Sequence, residues 1–523
     1  MHRAAPKVAP PNRQLIDALC APGAFDHPVT SIELIETHIS WVILTDEYAY
    51  KIKKPLSLGF LDFSDLERRK FFCAEEIRLN KPSAPEIYLD VVPISNGAQP
   101  RVGGDGQVIE YAVKMRRFDQ DLRLDVQLAD NKLSPADMKE LGQVIAKRHK
   151  ASERVAVEQR EHQLKITRDF IWDNFTWLEG TLDNEQLASL SAWTKLELEK
   201  LEALLGERFD AGFVRDCHGD LHLANLVRLP TGITTFDCIE FNADLRHMDV
   251  VCDIAFLVMD LVARERHDLA AGFLNRYLEC TGDYAGVALL DLYFVYRCLV
   301  RAKVAAIGSK ECTDETSRDG QLAEVRRYCA IAERQARKTS PLLVVMRGLS
   351  GSGKTWLSEQ LLATLPAIRV RSDIERKRLF GLDEQADSES GVAAGIYANA
   401  ANESVYALLC AHARLLLESG HNAILDAAFL QRAERDKALR AASDCGCAAV
   451  IVQVNAPLDT LRSRILQRAK ARQDASEASL AVLEHQLRNS EPLTDKERKQ
   501  TIICENTGHV DVTTVARAIK ARR

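Results

Sequence analysis

The 523-residue sequence predicts two domains of different class: an α+β fold with a strand-rich lobe followed by a helical lobe, then an α/β fold on a parallel sheet. Three observations predict this. The length exceeds what one ordinary hydrophobic core spans. Residues 30–115 carry short apolar runs of strand length, whereas 130–335 are patterned mainly as helices. From residue 342 the run LLVVM has the composition of a buried parallel strand, and a helical segment follows it.

Taken in order, the opening MHRAAPKVAPPNRQLIDALC has several prolines and no apolar core of signal-peptide length, so residues 1–29 are expected to be a loose start. SIELIE, SWVILTD, YAYKIKK, IYLDVVPI and VIEYAVKM follow as strands, with one helix at about 64–80. A loop-and-strand island at 214–241 interrupts the helical half. The charged helical run 312–338 is broken by Thr339-Ser340-Pro341, which puts a boundary near Lys338 and the domains at 30–338 and 341–523.

Composition narrows the function classes. With 46% hydrophobic and 28% charged residues, the chain reads as a soluble globular protein. Its most apolar helical stretch, IAFLVMDLVA (254–263), is too short to span a bilayer and contains Asp260. Thirteen scattered cysteines, an odd number without a secretory signal, predict reduced thiols and a cytoplasmic protein. Cys445 and Cys447 have no partner pair at zinc spacing. The net charge of −6 divides into −9 over the first 340 residues and +3 over the rest. Neither part has the strongly basic balance of a general nucleic-acid binder. Basic clusters at 369–378, 432–440 and 462–472 suit local contacts to phosphates.

The most specific motif is GLSGSGKT (348–355), between an expected strand and an expected helix. Gly348, Gly351 and Gly353 let backbone N–H groups of this segment, Ser352 included, turn toward phosphate oxygens at a helix N-terminus. Lys354 would reach the β- and γ-phosphates of ATP, and the Thr355 hydroxyl would hold Mg²⁺. In RSDIERKR, Asp373 follows an expected strand; it is either a helix N-cap or a carboxylate that holds and deprotonates an acceptor hydroxyl. HNAILDAAFL ends a further strand at Asp426, suited to Mg²⁺. After the strand AAVIVQVNAP, Arg464, Arg468 and Arg472 recur at helical spacing. They form either a solvated face or a clamp on the transferring phosphate. These motifs resemble the P-loop kinases of small molecules and nucleotides, especially the group with zeta toxins and polynucleotide 5′-kinases. In that group the residue matching Asp373 contacts the acceptor hydroxyl.

The amino-terminal half carries DCHGDLHLANLV (216–227) and TTFDCIEF (234–241). Phosphoryl transfer needs a carboxylate at the attacking hydroxyl and oxygen ligands for Mg²⁺; Asp220, Asn225 five residues on, and Asp237 twelve later have the spacing of a protein-kinase site. HGDLHLAN resembles the signature of aminoglycoside phosphotransferases, which have a protein-kinase-like bilobal fold. That resemblance implies Asp220 as base, Asn225 and Asp237 as Mg²⁺ ligands, and His218 and His222 as braces of the loop. It further implies a phosphate-pairing lysine, best matched by Lys51 of YAYKIKK, and an acidic partner in FFCAEEIRLN. Glu75 has the better offset there, with Glu76 the alternative. No glycine-rich loop precedes the lysine: IELIETHISWVILTD has no glycine, so ETHIS must cover the phosphates.

The expectation is therefore a cytoplasmic enzyme with two ATP- and Mg²⁺-dependent phosphotransferase sites acting on small hydroxylated molecules. Two alternatives stand beside it. One is a regulatory module whose kinase-like half gates the P-loop half. The other is a nucleic-acid end kinase, opposed by the sequence pI of 6.2. Neither acceptor is legible in these residues.

Overall fold

A computed structural model describes residues 13–522 except 59–60, 338–339, 385, 387, 389–393, 472–475 and 509. The chain divides into two compact units. Residues 1–133, 147–170 and 203–257 belong to the first, and residues 134–146, 171–202 and 258–523 to the second.

In the first unit an antiparallel sheet of six strands has the order 33–36, 40–44, 48–53, 108–116, 88–95 and 101–102. Alternation across each strand gives it two working faces. Tyr50, Ile52 and Ala112 point to one face, where Trp41, Ile43 and Ile94 complete a core. The neighbouring Val113 points to the other, against Cys73 and Ile77 of helix Leu66–Asn80. Lys51 and Lys53 therefore face that helix. Residues 13–29 are not wholly the loose start expected of 1–29. Helix Arg13–Leu19 buries Ile16 and Leu19, and Ala24 and Phe25 join the same core. This apolar set outweighs the local proline signal; residues 1–12 lie outside the described residues.

The absent glycine loop has a local explanation. Strands Glu33–Glu36 and Ser40–Leu44 form a hairpin whose turn is closed by a side chain. Thr37 Oγ1 accepts from Ser40 N at 2.9 Å and donates to Ser40 O at 3.0 Å, so the threonine hydroxyl supplies the closure.

The second unit is built on five parallel strands in the order 368–371, 423–426, 342–347, 448–455 and 501–505. The central strand Leu342–Arg347 is buried at every position, which is why it reads as an unbroken apolar run. Leu342, Val344 and Met346 pack against Leu357 and Leu361 of the helix that follows and against Val515 and Ile519. Strand Ile368–Arg371 is a sheet edge. Its open side is covered by helix His267–Thr281: Asn275 accepts from Arg369 N at 2.6 Å and donates to Ala367 O at 3.0 Å. Helices Leu290–Glu311 and Glu315–Ala336 belong to this unit too.

Candidate active site

In parallel sheets the crevice beyond the strand carboxyl ends receives ligands. The central strand leads at that end into residues 348–353 and helix Lys354–Leu362. Gly351 and Gly353 have φ of +82° and +95°, and a Cβ on Gly353 would lie 2.2 Å from Asn506 Nδ2. Only glycine fits there, because the loop backbone is clasped from behind. Asn506 Nδ2 donates to Ser352 O at 2.8 Å, and Arg464 donates to Asn506 Oδ1 at 3.1 Å. Arg464 also reaches Gly351 O and Ser352 O, each at 3.3 Å.

Lys354 Nζ rests on Leu349 O at 3.0 Å. Burial pushes this lysine down to about 8, although Asp426 and Asp373 pull the other way. The buried Ser352 hydroxyl has no hydrogen-bond partner. A cation short of counter-charge, an orphaned hydroxyl and a glycine cradle are what a polyphosphate would satisfy. Asp426, at the end of strand Ala423–Asp426, faces the Thr355 hydroxyl at 3.4 Å and accepts from Ser358 Oγ at 3.0 Å. These hard oxygen donors beside a phosphate cradle fit Mg²⁺.

One cleft of about 980 Å³ is lined by Gly351, Gly353, Lys354, Thr355, Asp426 and Asp373 together. Asp373 does not cap its helix. The N-cap of helix Ser372–Leu379 is Arg371, with no side-chain capping bond, so the capping alternative falls. Arg376 and Lys377 are both buried, but only Arg376 lines this cleft, where it donates to Ile396 O at 2.8 Å; Lys377 is tied to Glu477 at 3.1 Å. The arginine series divides. Arg464 braces the loop, Arg468 lines the cleft and donates to Ala478 O at 3.1 Å, and Arg472 lies outside the described residues.

The first unit assembles the other motif. Asp253 anchors the loop by accepting from His218 N at 3.2 Å and Gly219 N at 2.9 Å. His218 Nε2 faces Phe236 O at 2.9 Å, which requires its proton on Nε2; Nδ1 then accepts from Asp220 N at 3.3 Å. Burial first, and Arg148 second, push His218 down to about 4, so it stays neutral and keeps that tautomer. His222 works alike: Nδ1 accepts from Ala224 N at 3.2 Å while Nε2 lies 3.3 Å from Asp220 Oδ2. Asn225 Nδ2 donates to the same Oδ2 at 2.8 Å. Both histidines thus brace the loop. The antiparallel hairpin 226–229/232–235 carries Phe236 N back to Asn225 O at 3.0 Å, which sets Asp237 beside Asn225. Asp237 adopts φ of +58°, and its amide donates to Tyr88 Oη at 2.9 Å. Asn225 and Asp237 offer the oxygen donors that Mg²⁺ prefers.

Lys51 bridges Asp237 and Glu76, the latter at 2.9 Å. Burial works against its ammonium, but Asp237, Glu76 and Glu240 outweigh it and hold Lys51 well above the ordinary lysine range. Its helical partner is Glu76, not Glu75. Arg69, Cys73, Glu76 and Asn80 share the buried stripe of helix Leu66–Asn80, whereas Glu75 lies off that stripe and pairs with Arg78 at 2.8 Å. Glu76 also holds Lys53 at 2.8 Å, and Lys53 in turn contacts Glu240. Sequence reasoning missed Asp253, Ser358, Asn506 and Glu240, all of them supports placed by tertiary packing.

Residues 102–290 match the family model "Phosphotransferase enzyme family", and residues 343–493 match the model "AAA domain". An uncharacterized protein of Mycobacterium tuberculosis is 29% identical over 466 residues, covering 87% of this chain and 91% of the relative. A choline/ethanolamine kinase family protein from Mesorhizobium loti is similar at 13% identity, over 61% of this chain and 98% of that one, with a TM-score of 0.36. A gluconokinase from Sinorhizobium meliloti is similar at 18% identity, over 35% and 92%, with a TM-score of 0.25. Among the described residues no helix is long and apolar enough to cross a membrane. The motifs and the two family matches together support an ATP-dependent kinase, in which a segment matched to the phosphotransferase family precedes a segment matched to the AAA-domain model.

Proposed function

We propose that the chain carries two Mg²⁺-ATP sites, each transferring the γ-phosphate to a hydroxyl of a small molecule, in functional segments 30–338 and 341–523. The observation that carries this is the shared cleft: Asp373 faces the same 980 Å³ space as Lys354, Thr355 and Asp426. A carboxylate there accepts the acceptor's proton while the hydroxyl oxygen bonds to the γ-phosphorus and the β–γ bridging bond breaks, releasing ADP. Lys354 and the loop amides hold the phosphates, and Mg²⁺, when bound by Thr355 and Asp426, would neutralise their charge. In the first unit Asp220 is the base, with Asn225 and Asp237 on the metal and Lys51 on the phosphates. A small-molecule acceptor is favoured by a bounded cleft rather than a basic surface.

The test uses the full chain with γ-labelled ATP and fractionated metabolite extract, comparing wild type, Asp220→Ala and Asp373→Asn. Each variant should lose one class of labelled product and keep the other. If Asp220→Ala loses no product while Asp237→Ala still abolishes Mg²⁺-dependent ATP binding in the first unit, that unit binds without transfer. The gating alternative then replaces double catalysis.

A further inference from the structure

Helix His267–Thr281 lies within the span matched to the phosphotransferase family, yet it packs on the edge strand of the P-loop sheet. Besides the Asn275 bonds, it sends a carboxylate into that domain. Glu279 accepts from Arg369 Nη2 at 2.7 Å, and both residues are 4% exposed. The other end of the guanidinium points to the nucleotide side: Arg369 Nη1 donates to Thr355 O at 3.3 Å and Ser358 Oγ at 3.4 Å. Ser358 Oγ lies 3.0 Å from Asp426 Oδ2. The one proton of the Ser358 hydroxyl has two acceptors at 3.0 Å, Asp426 Oδ2 and Thr355 O; Arg369, which donates both to Thr355 O and to the hydroxyl's lone pair, favours the orientation in which that proton goes to the carboxylate. A continuous chain thus runs from Glu279 through Arg369 and Ser358 to Asp426.

We propose that Glu279 is a positioning residue of the P-loop site: it balances the buried charge of Arg369 and, through Ser358, sets Asp426 for the nucleotide's metal. This rests on the reading of Thr355 and Asp426 as the Mg²⁺ side of that site. The physics is simple. Arg369 is a buried cation one hydroxyl away from the carboxylate that would attract another cation. With Glu279 ionised, the pair is neutral toward Asp426. With Glu279 neutralised, Arg369 turns to Asp426 and competes with the metal for it. Edge-covering helices need only backbone bonds and apolar contact to do their work, and Asn275 already supplies the former. Glu279 does something that covering does not require.

The experiment measures binding, not turnover. Full-length protein carrying Asp237→Ala, which disables the metal side of the first unit, is titrated with ADP by calorimetry over a series of Mg²⁺ concentrations. The melting temperature is recorded beside each titration. Glu279→Gln keeps the shape and removes the charge; it is expected to raise the Mg²⁺ concentration at half-effect roughly tenfold, the scale of supports behind a metal ligand. Its metal-free nucleotide affinity should stay unchanged. Asn275→Ala, which cuts the docking bonds but spares the ion pair, is expected to lower the melting temperature and leave the Mg²⁺ requirement alone. An unaltered Mg²⁺ requirement in Glu279→Gln overturns the proposal, as does an equal shift in Asn275→Ala, which would make the effect one of docking. If Glu279→Gln does not fold, Glu279→Asp, which withdraws the charge by one methylene, takes its place and should show a smaller rise; no rise there overturns the proposal. Failure of the site reading itself looks different: the parent protein would then show no Mg²⁺-dependent binding that Lys354→Ala removes.

Discussion

Replacing Gly353 by alanine tests the phosphate cradle at its tightest point. The residue has φ of +95°, which costs an L-residue roughly 1–2 kcal/mol. The new methyl would stand 2.2 Å from Asn506 Nδ2, a separation no contact tolerates, so Asn506 must leave. Its departure breaks the bond to Ser352 O and the bond from Arg464, at about 1 kcal/mol each. The total, about 3–4 kcal/mol, falls on the loop conformation that would receive phosphate, so nucleotide affinity should drop roughly 10²–10³-fold. The assay is ADP binding by calorimetry in full-length protein carrying Asp237→Ala. Gly320→Ala is the control. It sits inside helix Glu315–Ala336 with nothing within 4 Å of the added methyl, and alanine there should stabilise by about 0.5–1 kcal/mol. If Gly353→Ala keeps affinity within a few-fold of wild type, the clasp from Asn506 and Arg464 does not shape the site, and the reasoning fails.

Three further outcomes are expected. Glu76→Gln takes the shared carboxylate from Lys51 and Lys53, leaving them Asp237 and Glu240, and should cost about 1.5–3 kcal/mol along with Mg²⁺-ATP binding by the first unit, whereas Glu75→Gln removes a partly exposed pair and should change stability by less than about 1 kcal/mol; equal melting curves for the two would reverse the assignment. Asp373→Asn should lower transfer to the acceptor by roughly 10²–10⁴-fold while ATP affinity holds, and a wild-type rate would remove Asp373 from the chemistry. Lys354, pushed down to about 8 by burial, loses its proton in the free protein as pH rises through that value. A bound phosphate favours the ammonium, so affinity at the P-loop site should be level below pH 8, fall above it, and be accompanied there by proton uptake. A flat affinity and no proton uptake across this range would mean that Lys354 does not meet the phosphates.

What was legible in the sequence was local. GLSGSGKT, the buried run LLVVM and the spacing of Asp220, Asn225 and Asp237 each depend on residues within one turn or hairpin, where geometry follows chain distance. Glu76 was within reach: Arg69, Cys73, Glu76 and Asn80 repeat at helical spacing, but three of the four are polar, so an apolar stripe did not mark them. The strand Thr501–Glu505 leaves Thr501 and Ile502 half-buried and Ile503 and Glu505 exposed, and lacks the continuous apolar run of the strands beside it. Asn506, Ser358 and Asp253 are ordinary polar residues until the fold places a loop carbonyl, a carboxylate or a pair of amides against them. Nothing in their neighbours along the chain announces this.

The division of the chain shows the same limit on a larger scale. Thr339-Ser340-Pro341 breaks the helical pattern, and a strand begins at Leu342. Yet the residues that join the helical half to the P-loop sheet lie some sixty residues upstream, in a helix whose sequence HDLAAGFLNRYLECT reads as an ordinary amphipathic element. Asn275 covers an edge strand and Glu279 neutralises Arg369 from that position. Arg276 adds a pair with Glu384 at 2.8 Å. A break in composition marks where one folding pattern stops; it does not mark where packing stops. Separating the chain near residue 338 would remove the 2.7 Å pair between the buried Glu279 and Arg369, leaving Glu279 with Arg276 at 3.4 Å and Arg369 with the more distant Glu359 at 3.9 Å, and would open the edge of the sheet besides. For that reason the P-loop site belongs physically to residues on both sides of the break.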